Sequence, residues 1–90
     1  MNYAIYQSND NADARIMYRF TQETCNHRAK AAAREKLQQL WCQALYRESL
    51  CLIKDAKGSQ DEISYDKQTS VNTYMRVRFF IAPLKASASL

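Results

Sequence analysis

TQETCNHRAKAAAREKLQQLWCQAL, residues 21–45, is the stretch whose reading decides the fold. Advancing about 100° per residue places Ala29, Ala33, Leu37, Leu40, Trp41 and Ala44 on one side. Arg28, Glu35, Gln38 and Gln39 fall opposite. Strong helix formers fill the interior and neither Gly nor Pro interrupts it, so a helix is predicted over 21–45. Thr21 or Thr24 would cap its start, and if Thr21 is the cap, Glu23 offsets the positive end of the dipole. Ala29 and Ala33 are small enough to let this half approach a sheet closely, while Leu37, Leu40 and Trp41 bury more area further along. At about 1.5 Å per residue such a helix runs roughly 35 Å, enough to cross a small sheet.

The flanking segments read as strands. Residues 14–20 alternate, with Ile16, Tyr18 and Phe20 on one side and Arg15, Met17 and Arg19 on the other. Residues 8–13 are turn-like, and the Tyr/Ile-rich residues 2–7 supply a first strand to complete a hairpin. Beyond the helix, Arg47 and Glu48 mark the exit, and the apolar run Leu50, Cys51, Leu52, Ile53 predicts a buried strand over 49–55. A turn is expected over 55–61, with the sole glycine, Gly58, where a positive φ would be needed. Residues 62–67 set Ile63 and Tyr65 against Glu62, Ser64 and Asp66, and residues 68–72 read as a polar connection. The strongest strand covers 73–82, with Met75, Val77, Phe79 and Ile81 against Tyr74, Arg76, Arg78 and Phe80, and Pro83 ends it. The order β-β-α-β-β-β predicts a two-layer α+β domain over residues 1–84. An antiparallel sheet of about five strands would carry one long helix on one face, and residues 85–90 would form a disordered tail. The second face of the sheet is left open.

Composition narrows the function classes. The 90 residues are 47% hydrophobic and 11% aromatic, which suits a packed core rather than a disordered chain. With a single glycine, neither a dinucleotide-binding GxGxxG nor a P-loop can be written. The formal net charge of +4 allows an acidic protein partner or nucleic acid without demanding either. The first ten residues lack the basic and apolar regions of a signal peptide, and no run approaches the roughly 18 apolar residues of a membrane span. Three cysteines make a closed disulfide framework incomplete, so a reducing, cytoplasmic setting and no membrane partner are expected.

The ligand-type residues Cys25, His27, Cys42 and Cys51 do not predict a metal site. Cys25 and Cys42 would sit about 25 Å apart along one helix, far beyond shared coordination. Cys51 is expected buried in its strand and therefore inert, and no His is placed to activate Cys42. The carboxylates Asp61, Glu62 and Asp66, like Asp10 and Asp13, fall in turns or on a solvent-facing strand side. No catalytic residue, metal or cofactor is assigned, and a non-enzymatic protein is expected.

Basic and aromatic residues carry the functional expectation. Tyr74, Arg76, Arg78 and Phe80 share one strand face, and simple alternation gives Arg15 and Arg19 a common face on another. Together they would form an aromatic-and-arginine surface of the kind enriched at protein interface hot spots. A second basic strip, His27, Lys30 and Arg34, borders the apolar stripe of the helix along the edge that carries Trp41. Cations near a helix start oppose its dipole, and Lys30 and Arg34 repel at i, i+4. Such a strip suits an acidic partner. The expected function is a small binding protein acting through protein–protein contact, in size and lack of motif like the inhibitors and accessory factors of phages and mobile elements. Its contact residues would be Tyr74, Arg76, Arg78, Phe80, Arg15, Arg19, Lys30 and Arg34. A homodimer through the open face is a variant of that reading. The alternative is a nucleic-acid-binding module in which bases stack on the sheet aromatics.

Overall fold

A computed structural model describes residues 2–10, 12–21 and 26–84. Its elements run β1 (Tyr3–Asn9), β2 (Arg15–Phe20), α1 (Asn26–Ser49), β3 (Ile53–Gly58), β4 (Glu62–Ser70) and β5 (Thr73–Pro83). The five strands form one antiparallel sheet in the order β2-β1-β5-β4-β3. The helix therefore connects the two outermost strands, which is why it must cross the whole sheet. At about 1.5 Å per residue its 24 residues span roughly 36 Å, against roughly 19 Å between outer strands spaced about 4.8 Å apart. The α+β architecture with one helix on one face matches the sequence expectation. No helix among the described residues is long and apolar enough to cross a membrane.

The core lies between α1 and one sheet face. Ala29, Ala33, Leu37 and Ala44 are buried on the helix, as their spacing predicts. Ile5, Ile53, Ile63, Tyr65, Val77 and Phe79 meet them from the sheet, with Tyr18, Phe20, Leu40, Trp41, Met75 and Ile81 packed around the edge.

The helix ends later than the spacing alone suggests. Thr21 lies outside it, and Thr24, Glu23 and Cys25 fall outside the described residues. At the far end the helix continues to Ser49, so 49–55 is not a buried strand. Cys51 N–H bonds Glu48 O at 3.0 Å and Leu52 N–H bonds Arg47 O at 3.0 Å, which together make a Schellman C-cap. Cys51 takes the left-handed position at φ 61°. The cap projects the apolar run outward, leaving Leu50, Cys51 and Leu52 exposed, so the expected burial of Cys51 does not occur.

Three other local expectations change. Gly58 closes β3 without a positive φ, and the left-handed residue of that region is Asp55, at φ 54°. The β3–β4 register slips between Lys54 and Lys57, and Ala56 N–H is held by the Glu48 carboxylate at 3.0 Å. The polar stretch 68–72 mostly extends β4, which pairs with β5 out to Ser70 opposite Thr73. In β2, Ile5 faces Tyr18 whereas Tyr6 faces Ile16, which leaves Met17 as the extra residue of a bulge. The bulge breaks strict alternation along β2.

Candidate functional site

The sheet face away from the helix can be read as rows from the register. Ile16, Tyr6, Phe80 and Glu62 form one row, and Ser8, Arg78 and Ser64 the next. Arg76, Asp66 and Lys54 make a third row, with Tyr74 opposite Gln68 beyond it. Thus Tyr74, Arg76, Arg78 and Phe80 do share the open face. Arg15 and Arg19 do not share a face with each other. Arg19 faces Ala4, whose other neighbour is Ala82 in the open-face set, while Arg15 faces Gln7, whose neighbour Phe79 belongs to the core side. The Met17 bulge is the cause: a one-residue slip moves every side chain before it to the opposite face.

The open-face arginines are tied to carboxylates. Arg76 Nη1 donates to Asp66 Oδ1 at 3.1 Å and to Asp55 O at 3.4 Å, while Nη2 donates to Ser64 Oγ at 2.8 Å. Asp10 accepts the Arg76 backbone N–H at 2.9 Å, so the first hairpin turn is pinned to the same residue. Arg78 Nη2 donates to Glu62 Oε1 at 2.9 Å, and this bond holds the Arg78 pKa above its ordinary value. The aromatic rings stack within the same surface. Tyr6 and Phe80 are 5.5 Å apart and nearly parallel at 17°, and the Arg78 guanidinium lies 4.4 Å from the Phe80 centroid. Lys54 sits 3.9 Å over Tyr74, which is 40% exposed. Sequence reading missed Tyr6 and Ile16 as members of this surface. Tyr6 carries no local signal, and the bulge hides Ile16.

On the helix layer, His27, Lys30 and Arg34 line one groove together with Trp41, as their shared edge suggested. Its opposite wall, Gly58, Ser59 and Gln60, comes from the β3–β4 turn and could not be anticipated from the helix. Arg34 Nε donates to Asp61 Oδ1 at 2.9 Å. That bond holds the Asp61 carboxyl below the usual carboxylate range and raises Arg34. Lys30 lies 5.9 Å from the Tyr3 ring centroid. Asp61, Glu62 and Asp66, expected as solvated turn and strand residues, thus each partner an arginine.

No protein-family model matches the chain, and no match was found among curated proteins or solved structures.

Proposed function

We propose that this chain is a small, non-enzymatic, cytoplasmic binding protein whose open sheet face takes a protein partner. The observation that carries this reading is the pairing of Arg76 and Arg78 with Asp66 and Glu62 beside the Tyr6–Phe80 stack. A surface so arranged offers aromatic area and hydrogen-bonding groups with its local charge balanced, which is the composition of a protein interface centre. Phosphates would have to compete with carboxylates already within hydrogen-bonding distance of both guanidinium groups. A small chain of this kind acts by occupying its partner, as inhibitors and accessory proteins of phages and mobile elements do. That part of the reading rests on size and on the lack of a catalytic motif. A second copy of the chain is one partner the face would serve.

The test is capture from nuclease-treated cell lysate by the wild-type chain and by the Phe80→Ala and Tyr74→Ala variants, with mass spectrometry of what is retained. The reading expects a protein retained after nuclease and lost with Phe80→Ala. Retention that disappears with nuclease, and whose salt dependence flattens in Arg76→Ala or Arg78→Ala, would instead support single-stranded nucleic acid stacking on the sheet aromatics.

A further inference from the structure

The groove between α1 and the β3–β4 turn is on the helix layer, behind the open face, and measures about 610 Å³. Its floor is apolar, built from the buried Leu37 and Ile63 with the half-buried Trp41. His27, Lys30 and Arg34 lie along one wall together with the carboxylate Glu35, and Asp61 accepts from Arg34 at its edge. We propose that this groove is a second docking site, and that it takes an acidic peptide segment carrying an apolar side chain.

Three features argue for that occupant. First, Arg34 is held in place without being used up. Asp61 accepts from Nε alone, and among the described residues the Nη groups make no hydrogen bond. A guanidinium fixed along one edge presents its remaining N–H groups in the planar geometry that suits a carboxylate. Second, Lys30 and Arg34 stand one helical turn apart on the same wall, so a single carboxylate-bearing segment can meet both. Third, the half-buried Trp41 offers the groove an apolar surface that a peptide side chain can cover and a bare anion cannot.

The same geometry disfavours nucleic acid here. One face of the Trp41 ring already lies against Gly58, so close that an added Cβ would sit 2.9 Å from Cε3. That face is closed to a stacked base.

Trp41 is the only tryptophan, so its fluorescence reports on the groove directly. The probe is a synthetic peptide, acetyl-Glu-Glu-Leu-Glu-Glu-Leu-Glu-amide, titrated at low salt. It is compared with one analogue that has Lys for every Glu and another that has Gly for every Leu. The proposal expects a saturable change in Trp41 emission with the first peptide, none with the Lys analogue, and at least about tenfold weaker binding of the Gly analogue. Lys30→Gln and Arg34→Lys should each weaken the first peptide several-fold with the thermal midpoint of the free protein little changed. Phe80→Ala should leave it unaffected, so the outcome is independent of the open-face reading. Absence of a saturable change at millimolar peptide would overturn the proposal. Equal binding of the Glu and Lys peptides would do the same, as would preferential saturation by a thymidine oligonucleotide.

Discussion

A Cβ placed on Gly58 would lie 2.9 Å from Cε3 of Trp41 and 3.0 Å from its Cδ2 and Cζ3. The contact joins the end of β3 to the middle of α1, and it explains the chain's only glycine by steric fit rather than by turn conformation. Because the φ of Gly58 is not positive, alanine is conformationally allowed there, and the entropy effect alone would favour Gly58→Ala by about 0.4–1 kcal/mol. The Trp41 ring reverses that sign. Gly58→Ala is expected to destabilise the fold by about 1–3 kcal/mol in urea unfolding and to shift Trp41 emission as the indole is displaced.

Cys51 at the helix C-cap gives the opposite outcome. It holds a left-handed φ of 61° that costs an L side chain about 1–2 kcal/mol relative to glycine. The side chain is exposed, so little packing is lost when it is removed. Cys51→Gly should stabilise by about 1 kcal/mol in chemical denaturation, whereas Cys51→Ala should bring no comparable gain.

Arg76 and Arg78 differ in how much structure depends on them. The Arg76 side chain reaches Asp66, Ser64 and the Asp55 carbonyl, linking β5, β4 and β3, while Arg78 hydrogen-bonds Glu62 and lies over the Phe80 ring of its own strand. Side chains more than a third exposed are screened by water, so neither effect is large. Arg76→Ala is expected to cost about 1 kcal/mol, and Arg78→Ala no more than about 0.5 kcal/mol, in parallel thermal melts.

Tyr65 and Asp61 set opposite ends of the pH profile. Burial pushes the Tyr65 phenol up, opposed by the nearby Arg47, so the folded chain holds this proton more tightly than the unfolded chain. Its contribution is complete below about pH 10 and is lost as pH rises through the raised folded value. Asp61 is lowered by its bond to Arg34, so its contribution is complete above about pH 4 and is lost as pH falls through the depressed folded value. Tyr65→Phe should flatten the alkaline limb of stability against pH. Asp61→Asn should flatten the acid limb, and only slightly, since about half of that side chain is in water.

The kinds of element and their order were legible because each rests on a periodicity of consecutive residues. The Ala29, Ala33, Leu37 and Ala44 spacing makes a helix stripe that is buried as it reads, and the alternation of Val77 and Phe79 with Arg76 and Arg78 makes a strand with one core face. Much of the candidate site was legible for the same reason, since Tyr74, Arg76, Arg78 and Phe80 lie on one strand and His27, Lys30, Arg34 and Trp41 on one helix edge. What depends on residues far apart in the chain was decided only by the tertiary structure. The bulge at Met17 separates Arg15 from Arg19 and brings Ile16 beside Tyr6. Carboxylates from β4 and the turn before it meet Arg78, Arg76 and Arg34. Leu50 and Leu52, apolar enough to predict a buried strand, are instead turned outward by the hydrogen bonds that end the helix. Local pattern chooses the element, whereas register, partner charge and helix termination are set by which segments meet in space.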